Sequence, residues 1–424
     1  MKFPISSITI AALAFVIPWQ ARAETVASPR ELSQLTLEAA EKLLQERNPG
    51  LLASRRVVEA AQATTQGAGA RPNPTLSLNS TSINPARGLG AGSVADKRAD
   101  STLRIDQTIE RGGKRDLRIA VATRAEQAAR EDFADTARQQ KQALAGAYYD
   151  LKLAQDKVKL AQENATLFDQ TLDAAMKRQK AGDLSATDVA RIRVDALRAR
   201  NDAEQTVNDK VHTQLALASI LHVEPEAFRL TAADTWPPAT ALPREPTVDE
   251  LIVQRPDVRA AQSRLAAAAA NRELARSQRT RDVTVGVQYE HFPPDGGNTW
   301  GVGISVPLFW GNDFSADIRR AEVDKDSAAD VLERARAIAL NDIARARADL
   351  QAAMEKLARY SESILPAGER SLDGAEFAFN HGALPVLDLL DARRTYRALQ
   401  IEALNAHADH GKALAAWRAA TSTE

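Results

Sequence analysis

The chain has 424 residues, 55 basic against 56 acidic side chains, and no cysteine. That balance gives no electrostatic footprint for nucleic acid, and the lack of thiols excludes disulfides, thiolate metal sites and a lipidated N-terminal cysteine. At 44% apolar and 26% charged the composition is that of a folded protein, and 5% aromatic residues do not suggest a compact aromatic-rich core.

Met1-Lys2 is a short positive n-region, and Ile5 to Ile17 is apolar apart from Ser and Thr. Ala21-Arg22-Ala23 then fits the small-x-small rule for a signal peptidase. The alternative, an uncleaved anchor helix, needs a longer run, and Pro18 interrupts its end. Residues 1–23 are therefore expected to be a signal peptide, with the mature chain starting at Glu24. An exported bacterial envelope protein is expected.

The remainder reads as two tandem copies, 36–234 and 247–420, joined by a Pro-rich linker over 235–246. TLEAAEKLLQERNPGLLASRRVVEAA at 36–61 resembles TVDELIVQRPDVRAAQSRLAAAA at 247–269. Leu144, Leu151, Val158 and Ala165 match Ile343, Leu350, Leu357 and Ile364 at one offset. Gly182, Leu184 and Asp188 match Gly382, Leu384 and Asp388 one residue further. The first copy predicts a helix, a hairpin at about 75–110, a long helix 114–180 and a helix 185–222. The second predicts a helix, a hairpin at about 283–310, a long helix 314–380 and a helix 386–419.

The hairpins carry the clearest period of two. Val283, Val285, Val287 and Tyr289 alternate with polar residues or glycine, as do Trp300, Val302, Ile304, Val306, Leu308 and Trp310, in a strand predicted to run to Trp310. Leu103, Ile105 and Ile109 alternate with Arg104, Asp106, Thr108 and Glu110, whereas the strand near Thr75 to Ile83 is weaker. Such strands suit either a soluble core or a membrane barrel. Trp300 and Trp310 stand ten residues apart on the apolar face. That is about 33 Å along a strand and, at a tilt near 40°, about 25 Å of height, the spacing of two aromatic girdles. Four strands cannot close a barrel alone, so a membrane reading requires an oligomer.

The stretch from about Lys114 to Lys180 has no proline and would extend about 100 Å as a helix. Leu144, Leu151, Val158, Ala165 and Leu172 recur every seven residues, with Ala147, Ala154, Ala161, Phe168 and Ala175 three further on. This is an a/d seam for supercoiled helices. The second copy repeats it with Ala346, Ala353, Tyr360 and Ala367, and Pro366 is expected to bend or interrupt that helix. A secreted coiled-coil stalk would explain the heptads but not the amphipathic hairpins.

Two such copies, each a membrane-type hairpin feeding a very long helix, resemble the TolC-like outer-membrane efflux factors over essentially the whole mature chain. IERGGKRDLRIAVATRAEQA at 109–128 and HGALPVLDLLDARRTY at 381–396 are similar to the CzcC-like branch, which serves heavy-metal cation exporters. VPLFWGNDFSADI at 306–318 departs from that branch, which has an Asn-Gln-Gly turn there. The resemblance implies a mainly α chain with a transmembrane β-barrel portion. It implies a homotrimer whose 12-stranded barrel takes four strands from each chain and continues as a long α-helical periplasmic barrel. It also implies a passive duct without catalysis or cofactor, set in outer-membrane lipid. Its partners would be a periplasmic adaptor (membrane fusion) protein and an inner-membrane RND-type pump, and its cargo heavy-metal divalent cations. Export of organic compounds or drugs is the alternative, followed by a periplasmic coiled-coil adaptor.

No metalloprotease, Walker or nucleophile-elbow motif occurs, and Gly88, Gly90 and Gly92 lack the strand–helix context of a dinucleotide loop. His407 and His410 are spaced i,i+3 and fit either a shared metal or an ordinary packed pair. Asp388 and Asp391 share one face of a helix just past the Gly382–Pro385 turn. By residue type alone they read as capping and dipole chemistry. The resemblance instead implies carboxylate rings constricting the periplasmic entrance, with Asp188 as the first-copy counterpart of Asp388. Arg191 stands where a match to Asp391 would fall, and Leu384 where some relatives carry a latching Arg. Gly182, Leu184, Gly382 and Leu384 are the implied adaptor-docking turns. Trp300 and Trp310 are the expected membrane-interface aromatics.

Overall fold

The computed structural model describes residues 32–83, 86, 99–239, 247–292 and 297–421. The expected signal peptide, most of the Gly-rich loop near 84–99 and part of the 235–246 linker lie outside the described residues.

The chain begins with α1 (Leu37–Arg47) and α2 (Pro49–Ala68), separated at Asn48. One continuous helix was expected there. The break follows from Pro49, which disfavours helical geometry in the residue before it; Asn48 sits at ψ 119° and its side chain caps α2 through the Leu51 amide at 3.1 Å. The second half breaks its opening helix in the same way, into α5 (Val248–Gln254) and α6 (Pro256–Ser277), with Arg255 before Pro256.

Between these helices come β1 (Thr75–Thr81), β2 (Asp100–Ile109), α3 (Lys114–Ala181) and α4 (Ala186–Leu221). After α6 come β3 (Val283–Phe292), β4 (Gly297–Ser305), α7 (Ser315–Arg359), a π-helical segment (Tyr360–Ile364), α8 (Leu365–Asn380) and α9 (Val386–Thr421). The strands form one antiparallel sheet in chain order, β1-β2-β3-β4.

Two further expectations need correction. The strand anticipated to reach Trp310 ends at Ser305. Pro307 has no N–H to give the ladder, so pairing stops two residues short of it. The second long helix is not continuous either. Pro366 cannot donate to the carbonyl four residues back, and the helix passes through the π-helical turn at Tyr360–Ile364 just before it. The seam thins at this point: Ile343, Leu350 and Leu357 are buried, whereas Ala367 is exposed and α8 buries no residue completely.

Packing along α3 is set by the heptad positions. Leu144, Leu151, Ala154, Ala161, Phe168 and Ala175 are buried. Near the middle of the molecule, Leu144, Tyr148 and Leu151 join Leu44 of α1, Leu217 and Leu221 of α4, and Leu230 in one core. The Tyr148 hydroxyl closes it by donating to the Leu35 carbonyl at 3.0 Å and meeting Asp234 at 2.8 Å. A second core lies at the far tip, where Phe168 and Ala175 meet Val189, Ile192 and Ala196 of α4 and Val386 and Leu390 of α9.

The β2–α3 junction turns on Gly112 and Gly113, both at φ 70°. A Cβ on Gly112 would lie 2.8 Å from the Thr280 Cβ and 2.9 Å from its hydroxyl oxygen, so something must shift. Gly112→Ala therefore combines a left-handed backbone with a clash and should cost about 1–3 kcal/mol. A shift of the thermal midpoint measures it, with Gly113→Ala, which meets nothing within 4 Å, as the milder comparison.

Candidate functional site

Cross-strand register sorts the sheet into two faces. Leu76, Ile105, Val287 and Val302 form one row, and Leu78, Leu103, Tyr289 and Trp300 the next. Trp300, Val302 and Ile304 are 76%, 78% and 73% exposed, so these rows make an apolar face that nothing among the described residues covers. Tyr289 and Trp300 pack ring against ring at 5.2 Å.

The opposite face is polar. Its rows are Asn79, Thr102, Glu290 and Thr299; then Ser77, Arg104, Gln288 and Gly301; then Thr75, Asp106, Gly286 and Gly303. Arg104 donates to Asp106 at 2.8 Å and to Gln288 at 3.0 Å, and Gln288 donates on to Glu290 at 2.7 Å. Gly286 leaves bare backbone under this group; a Cβ there would fall 2.2 Å from an Asp106 oxygen. The alternation of Arg104 and Asp106 with Leu103 and Ile105 was legible, but their partners on β3 required the register. A sheet bare and apolar on one face, hydrogen-bonded and charged on the other, is built as a wall between lipid and water.

At the far tip, Gly182 and Gly382 end α3 and α8 with φ 87° and 75°. Leu184 packs against the tip core, and Leu384 is half-buried. The three anticipated aspartates differ. Asp188 is engaged: its oxygen accepts from the Ser185 hydroxyl at 2.7 Å and it pairs with Arg191 at 3.7 Å, while Ser185 caps α4. Asp388 and Asp391 are exposed on the first turns of α9, and among the described residues neither carboxylate has a partner.

One feature of this end was not anticipated from sequence. Arginines one turn beyond Asp391 tie α9 to its neighbours: Arg393 to Thr171 of α3 and Glu376 of α8, Arg394 to buried Asp195 of α4, and Arg397 to Asp202 of α4. The Arg-Arg run at 393–394 was visible, but its partners Asp195 and Thr171 are about 200 residues away in sequence.

His407 and His410 sit in the interior rather than at the tip. The His407 ring stacks on Trp236 at 5.7 Å, and Trp236 in turn donates to Asp156 at 2.9 Å. Burial pushes both imidazoles towards the neutral form, opposed at His407 by Asp156 and reinforced at His410 by His407. Among the described residues, no three His, Asp or Glu side chains gather as metal ligands.

Trp310 is 88% exposed and stands beyond the end of β4, while Trp300 is near the opposite end of that strand. The pair therefore does not share one strand as expected.

A sheet with a bare apolar face joined to helices as long as α3 defines a membrane-embedded channel component with an extramembrane helical extension. The family model for outer membrane efflux proteins matches residues 41–221 and 247–423, and the chain belongs to that family. It is a channel of the outer membrane extending into the periplasm, not an enzyme. The chain is 27% identical to the cobalt-zinc-cadmium resistance protein CzcC of Cupriavidus metallidurans, over 87% of this chain and 85% of that protein. It is 25% identical to the pyoverdine export outer membrane protein OpmQ of Pseudomonas putida, over 66% of this chain and 63% of that protein. The CmeC outer membrane channel of Campylobacter jejuni shares the fold at TM-score 0.75 and 14% identity, covering 99% of this chain and 93% of that one.

Proposed function

We propose that the chain is the outer-membrane duct of a tripartite efflux system and that divalent heavy-metal cations are its cargo. Three copies would close the sheet into a 12-stranded barrel, because the outer edges of β1 and β4 carry backbone groups that lipid cannot satisfy. A periplasmic adaptor, docking near the Gly182–Leu184 and Gly382–Leu384 turns, and an inner-membrane RND-type pump complete the system. The likeness to CzcC supports the cation reading. The likeness to OpmQ supports the second reading, export of an organic compound.

The observation that carries the proposal is the pair Asp388 and Asp391, exposed, one turn apart at the tip and unpaired among the described residues. In a trimer they form stacked rings of carboxylate at the periplasmic mouth. Asp188 contributes less, since Ser185 and Arg191 already engage it. Such rings attract cations and hold multivalent ions in the narrow mouth. Asp388→Asn with Asp391→Asn keeps size and polarity and removes the charge. In planar-bilayer recording the wild type should pass a small cation-selective current, blocked by multivalent cations from the periplasmic side. The double variant should lose both selectivity and block while remaining trimeric. Selectivity and block retained at wild-type strength would reduce these aspartates to helix-start chemistry.

A further inference from the structure

We propose that Arg111 and Arg281 form a binding site for anionic phospholipid headgroups of the periplasmic leaflet, an inference that rests on the reading of the sheet as a barrel wall. The apolar face ends at the row of Ile109 and Val283. Continuing the β2–β3 register two residues past its last pair, Ile109 and Val283, sets Arg111 opposite Arg281. Period-two alternation thus places both arginines on the lipid-side face, immediately below its last apolar row.

The charges around them sort by face. Glu110 and Asp282, each one residue away, belong to the opposite face and are consumed there: Glu110 pairs with Arg118, and Asp282 pairs with Lys114 at 2.9 Å and accepts from the Arg111 backbone N–H. Asp313 is occupied by Ser315. Arg111 and Arg281 are exposed, and among the described residues neither guanidinium has a carboxylate partner. Arg281 lies over the Phe309 ring at 5.4 Å, in the segment past the end of β4 where alternation no longer holds and which also carries exposed Leu308 and Trp310. An aromatic and apolar floor with a free guanidinium above it suits a phosphate whose acyl chains run along the sheet.

The height agrees. Arg111 stands eight residues along from Leu103, whose row holds Tyr289 and Trp300 at the other end of the apolar band. Eight residues are about 27 Å of strand and, at a tilt near 40°, roughly 21 Å of height. That spans most of a barrel's apolar band of about 25 Å, so the arginines fall at the headgroup layer on the side where β2 runs into α3. Trp310 then marks the same interface from beyond the strand end.

The test is native mass spectrometry of the purified trimer titrated with phosphatidylglycerol, with phosphatidylethanolamine and inorganic phosphate as comparisons. One basic residue near an anionic surface contributes about fivefold, so R111Q/R281Q should weaken phosphatidylglycerol binding by about tenfold or more. R111K/R281K, which keeps the charge and shows that the site tolerates substitution, should stay within about threefold of wild type. Inorganic phosphate should not displace the lipid. Undiminished phosphatidylglycerol binding in a trimeric R111Q/R281Q overturns the site, as does equal competition by inorganic phosphate or equal preference for phosphatidylethanolamine. Failure of the wild-type chain to form a trimer in the outer membrane overturns the barrel reading itself, which separates the two.

Discussion

Arginine at Ile304 is expected to cost about 2–4 kcal/mol per chain, because it puts a charge near the middle of the apolar face. Ile304 is 73% exposed in the chain and stands in the row of Val285, flanked on the same face of β4 by Val302. Three copies in one barrel multiply the penalty, so the yield of heat-resistant trimer in outer-membrane fractions should fall steeply. Thr299→Arg is the comparison. Thr299 lies opposite Glu290 on the polar face, where a guanidinium stays in water beside a carboxylate. Its trimer yield should remain near wild type. Equal loss at both positions would mean that the two faces are not exposed to different solvents.

The second large effect concerns Arg255, which is 1% exposed at the break between α5 and α6. Its guanidinium meets Asp257 at 2.7 Å and Asp342 of α7 at 3.1 Å. Removing one partner leaves a buried charge undercompensated, so Asp257→Ala should destabilise the chain by about 3 kcal/mol. R255M/D257N, which removes the charge as well, should recover at least half of that loss in thermal midpoint. Acid should erase the difference. Burial pushes the Asp257 carboxyl up, but the Arg255 hydrogen bond and charge outweigh it and hold the folded-state value below the ordinary one. A depressed carboxyl stabilises the fold above its unfolded value of about 4, and the contribution is lost as pH falls through the lower folded value. Wild type and Asp257→Ala should therefore converge only below about pH 4. Convergence near neutrality would remove Asp257 as the stabilising partner.

Arg255 and Asn48 also illustrate what a linear reading misses. Both precede a proline at a helix break, and the two sites use different chemistry: Asn48 donates to the Ile220 carbonyl at 3.0 Å, whereas Arg255 meets two carboxylates. The proline announces the break, but only packing reveals which acceptors surround the residue before it.

The mainly α class with membrane-type strands was legible because two periodicities are local. Alternation along Val283 to Tyr289 and Trp300 to Ile304 assigns a face to each side chain with no knowledge of the neighbouring strand. The seven-residue recurrence through Leu144 and Leu151 does the same for a helix. Family membership was readable for a related reason, since the Gly-Gly-Lys-Arg junction and the turn at Gly382 are short contiguous stretches. Where β4 stops was misjudged, because the hydrophobic alternation continues through Pro307 to Trp310 although the ladder cannot. The tertiary structure alone decided which charges remain free. Asp188 and Asp388 look equivalent in sequence, yet Ser185 and Arg191 engage the first, while the second stays open to solvent. Glu110 and Arg111 are adjacent in sequence, yet one is consumed by Arg118 and the other is exposed with no carboxylate partner among the described residues. Whether a charge is available depends on which partner the fold brings within about 4 Å, and that partner can lie anywhere along the chain.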